Sequence, residues 1–490
     1  MSRAIKALTA TLALLALSGC VLKNLSVDSV VKSRPINFTC PELADFTSPE
    51  QSFLFADLRT WAYSPDDPRH PSNRPSFNAT DNLIAGTPAL IEPYAYPARQ
   101  DLQDADKPIE ILVLSGGGQW GAFGAGFLSE KGVRRNWDLV TGISTGALQS
   151  LFVGAGEYEA MKQAYGISVE GELAKPNGFF GTLRKGSQYD TAALREKVMR
   201  TLLDEKEGGL LDKINEGRGP PIEIGMVNAS TGDFIVVRVT DMIRAGYREA
   251  VVDREHIATC VTAVSMASSS VPLRLTPVRI NGTAYLDGGV RASGFIRTIS
   301  ARASLTYASN MNLLSLEGEP TADTFSAVAP PRIYVIRNGP TVVPQGPREG
   351  IRDPEGDDED IRPFKVDLNP SAYRTALRGY ATLVNQNEMT SITTLLLEYP
   401  FVPLQFASAD GYNWLRNPGC GERPEDKYFD PKFMQCLISW GEERATRAEA
   451  PSGWLSIAGP NSCQTDDGTV AEECIERLLS AYRRTFARTR

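Results

Sequence analysis

Two glycine-rich turns, each directly after an apolar run, constrain the fold of this chain most strongly. The first lies in Ile109–Gly121, "IEILVLSGGGQWG", and the second in Asp138–Ala147, "DLVTGISTGA". Each run has the length of a buried strand, and the residues after each turn suit the start of a helix. Strands that alternate with helices in this way predict an α/β domain that begins near Ile109.

The second turn holds a serine between two glycines. Gly142-Ile143-Ser144-Thr145-Gly146 fits the pattern G-x-S-x-G where a predicted strand ends and a helix begins. A nucleophilic serine must stand on a sharp, strained turn, and side chains two residues away on either side would collide with neighbouring backbone. The motif predicts Ser144 as a nucleophile; the alternative is a tight turn with an idle serine.

The first turn admits two interpretations. Gly116, Gly118 and Gly121 satisfy the dinucleotide fingerprint G-x-G-x-x-G, but the acid that should close the second strand, Asp138, precedes a strand instead. The other interpretation is an oxyanion hole, because the glycines leave backbone N–H groups free and the following helix adds its positive end. Since Ser144 supplies a nucleophile, we predict an oxyanion hole formed by Gly116, Gly117 and Gly118.

A base for this serine is hard to find among the histidines, because the chain has two. His70 lies in a proline-rich segment outside the predicted core, and His256 is expected at a helix start; each stays open as an alternative base. A carboxylate within hydrogen-bond reach can also take the proton. Asp287 in "AYLDGGVRA" ends an apolar stretch before two glycines, which by itself favours a β-turn aspartate. Taken together with Ser144, the glycine triplet and the shortage of histidines, it is predicted to be the base.

Four segments together resemble the patatin-like phospholipases. They are "SGGGQWGAFGAGFL", "DLVTGISTGAL", "AVSMASSSVPLRLTPV" and "YLDGG", in the order and spacing of that family. The resemblance is strongest from Ile109 to Gly289, and looser segments further on resemble the family's bacterial lipoprotein branch. It implies a three-layer α/β sandwich with a mostly parallel central sheet and helices on both faces. It also implies a Ser144–Asp287 dyad without a catalytic histidine.

The chain departs from the family pattern in two places. Trp120 stands where the family usually has Arg or Lys, so one cation that would stabilise negative charge is missing. A tryptophan there would suit an apolar acyl chain, and we predict that Trp120 contacts the substrate. After the "DGG" turn, Ser293-Gly294-Phe295 replaces the family's Asn and Pro.

The N-terminus, "MSRAIKALTATLALLALSGC", has the form of a bacterial export signal. Arg3 and Lys6 precede an apolar segment, and Leu17-Ser18-Gly19-Cys20 resembles a lipobox. We therefore predict that Cys20 is lipidated, the alternative being a plain cleaved signal. Val21 after the cysteine, by resemblance to sorting rules of Gram-negative bacteria, favours the outer membrane.

Export would place the remaining six cysteines in an oxidising compartment. Cys260 lies in an apolar run and is expected to be a buried thiol. No cysteine has a CxxC spacing with histidine partners, which argues against a zinc site. We predict neither a metal nor a cofactor. Two disulfides, with the pairing left open, are expected among Cys420, Cys436, Cys463 and Cys474.

Composition divides the chain into four predicted parts. They are a signal peptide (1–19), a lipid-anchored, Pro/Asn/Asp-rich tether and docking segment outside the core (20–107), a catalytic domain (108–400), and a Cys-containing extension ending in a helix (401–490).

The predicted function is hydrolysis of carboxylic esters of membrane lipids through a Ser–Asp dyad and an acyl-enzyme. With 51 Lys plus Arg against 59 Asp plus Glu, the net charge of −8 argues against nucleic acid as the main partner. The predicted partners are a lipid ester substrate and the membrane that holds the anchor. The alternatives are a catalytically silent lipoprotein that binds lipid or assists assembly, and a dinucleotide-binding enzyme, which the serine elbow disfavours.

Overall fold

The computed structural model describes thirteen stretches of the chain, namely 35–49, 110–178, 182, 186–204, 208–249, 251–295, 332–341, 372–398, 404–410, 412, 420, 427–447 and 453–457. In chain order the strands are β1 (Ile36–Phe38), β2 (Thr47–Pro49), β3 (Glu110–Leu114), β4 (Leu139–Ile143), β5 (Lys175–Pro176), β6 (Tyr189–Asp190), β7 (Ile222–Asn228), β8 (Phe234–Arg238), β9 (Val278–Ile280), β10 (Thr283–Asp287), β11 (Arg332–Arg337), β12 (Leu404–Ser408) and β13 (Leu455–Ile457). The α-helices are α1 (Gly121–Ser129), α2 (Thr145–Ala155), α3 (Tyr158–Tyr165), α4 (Ala192–Leu203), α5 (Leu210–Asn215), α6 (Val239–Tyr247), α7 (Arg254–Ser268), α8 (Ala372–Glu398) and α9 (Pro431–Thr446).

One large sheet organises these elements, in the order β1-β9-β10-β7-β4-β3-β11-β12-β13, with β8 beside β7 and β2 beside β8. The central strands β7, β4, β3, β11 and β12 are parallel to their neighbours in that run, whereas β8, β10 and β13 pair antiparallel at the margins. The carboxyl ends of β3, β4 and β11 therefore meet at one edge, which is where parallel sheets place their binding sites.

The two faces of the sheet pack against different helices. Because side chains alternate along a strand, Ile111 and Val113 of β3 point to one face and Leu112 and Leu114 to the other. The first pair packs with side chains of α8, and the second belongs to the larger core formed with α1, α2 and α9. The predicted α/β sandwich with a mostly parallel sheet between helices is confirmed.

Part of the predicted tether belongs to the core. β1 extends one edge of the sheet by pairing with β9, and β2 pairs with β8. Phe38, Cys40 and Leu43 are buried, so the expectation that this stretch stays outside the core is wrong for residues 36–49. Cys40 forms a disulfide with Cys260, and the predicted free thiol at Cys260 is therefore also wrong.

The sheet continues past the boundary predicted at residue 400. β12 and β13 complete its other edge, and α9 packs closely along α1. This close approach depends on Gly126 and Gly441, where a Cβ atom would overlap with backbone of the opposite helix. Cys420 pairs with Cys436 across a sequence separation of 16 residues.

Several predicted features lie outside the described residues. They are the signal peptide with Cys20, residues 50–107 of the predicted tether and docking segment with His70, and Cys463, Cys474 and the terminal helix. Within the described residues, no helix is both long and apolar enough to span a bilayer.

The two disulfides close loops of very different length, and we expect them to differ in their effect on stability. Their sequence separations are 220 and 16 residues. Since the entropy lost by the unfolded chain grows with the logarithm of loop length, Cys40→Ala with Cys260→Ala should lower the free energy of unfolding by about 2 kcal/mol more than Cys420→Ala with Cys436→Ala. Urea denaturation of both double variants measures the difference. An equal or smaller loss in the first pair would contradict the expectation.

Candidate active site

Ser144 stands on a strained turn between β4 and α2. Its φ of 55° and ψ of −121° lie in a region of backbone conformation that residues other than glycine rarely adopt. A Cβ atom on Gly142 would overlap with the Gly146 carbonyl, and one on Gly146 would overlap with the Leu114 carbonyl. The glycines of the G-x-S-x-G motif are therefore required for the reason that the sequence predicts, and Ser144 is exposed over 5% of its surface.

The glycine triplet after β3 lies against this serine. A Cβ atom on Gly116 would be 3.2 Å from the Ser144 Cβ. Gly117 and Gly118 have φ values of 154° and 58°, which turn the chain sharply before α1. Within the described residues, the N–H groups of the three glycines donate no hydrogen bond to the protein. The arrangement provides free donors beside a hydroxyl, as the predicted oxyanion hole requires.

A buried polar network holds the glycine triplet from behind. Asn338, directly after β11, donates from its backbone N–H to Ser115 Oγ (3.0 Å) and from Nδ2 to the Ser115 carbonyl (2.8 Å). Its Nδ2 also donates to Gln149 Oε1 (2.8 Å), and Gln149 Nε2 donates to the Gly121 carbonyl (2.7 Å). The Asn338 carbonyl occupies the space that a side chain at Gly117 would need. β11 and α2 thus fix the turn from two sides.

The strand register brings Asp287 to Ser144. Ile143 of β4 pairs with Gly225 of β7, and the next β7 residue, Met226, pairs with Asp287 of β10. β10 therefore pairs with the stretch of β7 that directly follows the stretch paired with β4, and β4 ends at Ile143, next to Ser144. The two residues singled out from the sequence, 143 positions apart, share one end of the sheet.

Burial determines the acidity of Asp287. The residue is 4% exposed; its Oδ1 accepts from the Gly289 N–H (2.8 Å), whereas Oδ2 has no hydrogen-bond partner among the described residues. Burial raises the pKa of Asp287 to about 7, against the lowering effect of the nearby Ser144 hydroxyl and the Gly289 N–H, and the Glu388 carboxylate raises it further. Such a carboxylate can hold or release a proton near neutral pH.

Three consecutive serines at the end of α7 connect these groups. Ser268 Oγ accepts from the Ser144 N–H (2.9 Å) and donates to the Gly225 carbonyl (2.6 Å). Ser269 Oγ donates to the Ser144 carbonyl (3.1 Å), and the Ser270 carbonyl accepts from the Asp287 N–H (3.0 Å). The resemblance to the family includes the segment "SMASSSVP", but its sequence alone predicts no role for these serines. The run of three serines after an apolar helix was the available signal.

Helix α8 holds the loop after Asp287 from the opposite face. Asn387 Nδ2 donates to the Val290 carbonyl (2.8 Å), and Ser391 Oγ accepts from the Ser293 N–H (3.1 Å). These bonds fix the segment whose sequence departs from the family pattern. The same helix carries Glu388, which forms a buried ion pair with Arg337 at 2.7 Å.

An apolar cavity begins beside the serine. It contains about 620 Å³ of empty space, counting the part open to solvent, and Gly118 and Thr145 line its end at the turn. Side chains from α2, α3, α4, α5 and α9 line the remainder, and most of them are aliphatic or aromatic. Lys197 is a polar exception: its Nζ donates to the Ala164 carbonyl (2.9 Å), and burial lowers its pKa. The cavity has the chemistry to hold a hydrocarbon chain.

Trp120, the predicted substrate contact, packs against aromatic side chains rather than lining the cavity. Its ring contacts Phe433 edge-on, with centroids 5.0 Å apart, and Tyr412 at 6.1 Å. It is not among the residues that line the cavity. The contact between Trp120 and substrate stays a prediction.

His256 lies too far along α7 to serve Ser144. It is in the first turn of that helix, twelve residues before Ser268, which corresponds to about 18 Å of helix. Its Nε2 lies 3.0 Å from Glu42 Oε1, near the sulfur of Cys260. These three side chains could together approach a metal ion, but the Cys260 sulfur is bonded to Cys40 and has no thiolate to offer.

We expect Ser268 to position Ser144. Ser268→Ala leaves the buried Ser144 N–H without its acceptor, which should slow reaction of Ser144 with a fluorophosphonate probe about tenfold. Ser265→Ala is the matched control, because Ser265 lies one turn earlier on α7, is equally buried, and bonds to the Val261 carbonyl. Labelling rates at equal folded fraction test this. Equal rates in the two variants would contradict the positioning role.

Comparison with known proteins agrees with this geometry. The sequence model of the family described as Patatin-like phospholipase matches residues 112–298. A comparison with curated proteins gave no match. Among solved structures, VipD from Legionella pneumophila is similar at 14% identity and a TM-score of 0.24, over 42% of this chain and 55% of that chain. The chain thus spans about half of VipD, and a likeness this weak adds nothing to the assignment. The residues that match the patatin-like phospholipase model, 112–298, contain both candidate catalytic residues and the glycine triplet.

Proposed function

We propose that the protein hydrolyses carboxylic esters of membrane lipids through Ser144 and Asp287. The observation that carries the proposal is the apolar cavity lined by Gly118 of the glycine triplet and by Thr145, the residue after the strained serine. A hydrocarbon chain in this cavity would place its ester carbonyl between the Ser144 hydroxyl and the glycine N–H groups. The family match at residues 112–298 supports the same substrate class.

In the proposed mechanism Asp287 accepts the proton of Ser144 as Oγ attacks the ester carbonyl. The N–H groups of Gly116, Gly117 and Gly118 stabilise the oxyanion. Collapse of the tetrahedral intermediate releases the alcohol, to which Asp287 returns the proton, and leaves an acyl-enzyme on Ser144. Water, deprotonated by the same carboxylate, then attacks the acyl-enzyme. The second tetrahedral intermediate releases the fatty acid as Asp287 returns the proton to Ser144 Oγ, which regenerates the enzyme.

The geometry favours this enzyme over a catalytically silent lipoprotein. A protein that binds lipid without chemistry has no need to hold a serine at positive φ or to bury a carboxylate whose Oδ2 lacks a partner. Trp120, in place of the family's Arg or Lys, is the main sequence feature that favours the silent alternative. It concerns one stabilising charge and leaves the serine, the carboxylate and the glycines in place.

We further propose that Cys20 is lipidated and anchors the enzyme to the outer membrane, close to its substrate. The lipobox-like ending of the signal segment supports this proposal. Metabolic labelling with an alkyne fatty acid should mark the wild-type protein in the outer-membrane fraction and should fail to mark Cys20→Ser. Labelling of Cys20→Ser, or recovery of the wild type in another fraction, would refute the anchor or its location.

The dyad is tested by substitution. Ser144→Ala and Asp287→Asn should each reduce release of fatty acid from lipid micelles by at least about 1,000-fold, since each removes a group that acts as a unit with the other. His256→Ala and His70→Ala are the matched controls and should retain wild-type turnover. Hydrolysis that survives in both dyad variants, or that is lost in a histidine variant with an intact fold, would refute the assignment.

The raised pKa of Asp287 predicts the pH dependence. The carboxylate must be ionised to act as a base, so kcat/KM should rise with pH until about 7 and level off above it. Because the Glu388 carboxylate raises the pKa of Asp287, Glu388→Gln should move this rise to lower pH. A pH-stat assay on a short-chain diacylglycerol measures both profiles. A flat profile between pH 5 and 8 would show that Asp287 is not the titrating base.

A further inference from the structure

Residues 271–274, which we call the rim, directly follow the serine cluster and are hydrogen-bonded to residues 188 and 189. The Leu273 carbonyl accepts from the Gln188 N–H (2.9 Å), and the Arg274 carbonyl accepts from the Tyr189 N–H (2.9 Å). Leu273 has a φ of 64° and is 61% exposed. A leucine at positive φ is strained, and the apolar side chain at this position lies in solvent rather than in the core.

Arg274 brings a positive charge to this rim. Its guanidinium lies over the ring of Tyr428, 5.5 Å from the centroid. The Tyr428 hydroxyl in turn lies 3.2 Å from the position that a Cβ atom on Gly118 would take. Among the described residues, no carboxylate forms an ion pair with Arg274. The side chain is half-buried, so it stands beside the candidate oxyanion hole with its charge unpaired.

We propose that Arg274 binds the phosphate of a glycerophospholipid whose acyl ester lies at Ser144, an inference that rests on the proposed function. In such a lipid the phosphate is only a few bonds from the scissile carbonyl, so a cation one aromatic ring away from Gly118 is suitably placed. The planar guanidinium suits phosphate oxygens. Leu273, next to Arg274, would contact the apolar part of the lipid surface. The guanidinium of Arg274 would stay in the polar headgroup layer.

The experiment compares two lipids that differ in the phosphate. Phosphatidylcholine and diacylglycerol with the same acyl chains are presented in the same neutral detergent micelles to the full-length protein. Arg274→Gln should lower kcat/KM for phosphatidylcholine about tenfold and leave kcat/KM for diacylglycerol unchanged. Arg274→Lys, which keeps the charge, should restore part of the loss. Arg279→Gln is the matched control, because Arg279 is an exposed arginine on the neighbouring β9.

Each outcome decides the proposal. Selective loss on phosphatidylcholine with partial rescue by lysine supports it, because a merely structural arginine would affect both lipids alike. An equal loss on both lipids, no loss, or the same selective loss in Arg279→Gln would overturn it while the proposed esterase function stands. If the wild type hydrolyses neither lipid, the proposed function fails and this inference fails with it.

Discussion

The strained backbone of Ser144 is the constraint on which the rest of the site depends. A non-glycine residue at positive φ costs on the order of 1–3 kcal/mol, and such strain persists only where the surroundings determine it. Here α2 begins so close to the ends of β4 and β3 that Gly142 and Gly146 have no room for a side chain. Ser268 and Ser269 then bond to the N–H and the carbonyl of Ser144. The packing of the sheet edge on α2 and α7 thus offsets the strain and keeps the hydroxyl beside the glycine turn.

Burial of Asp287 makes the free energy of unfolding depend on pH. Its pKa is raised from 3.8 to about 7, so the folded protein binds this proton more tightly than the unfolded chain does. The contribution of this group to the free energy of unfolding therefore declines as pH rises from about 4 to about 7 and stays low above that. In the proposed mechanism Asp287 therefore acts in its ionised form, at a pH where this group contributes least to the free energy of unfolding.

The sequence predicts the local parts of this arrangement well. Short apolar runs followed by glycines specify β3, β4 and their turns, because the pattern and the geometry involve neighbouring residues. The disulfide between Cys40 and Cys260 and the bond between Ser268 and Ser144 are set by chain segments 220 and 124 residues apart. Spacing alone carries no signal for such pairs, since topology decides which of many serines and cysteines meet. For the same reason the incorporation of β1 and β12 into the central sheet could not be foreseen from their composition.

We propose that Ser144 carries the acyl group while Asp287, rather than a histidine, moves the proton. Rapid quenching of the wild type during turnover of a short-chain phospholipid, followed by intact and peptide mass spectrometry, would detect the acyl-enzyme. We expect a mass increment equal to one acyl group on the peptide that contains Ser144. Turnover without such an adduct at any quench time, or an acyl group on another residue, would contradict it.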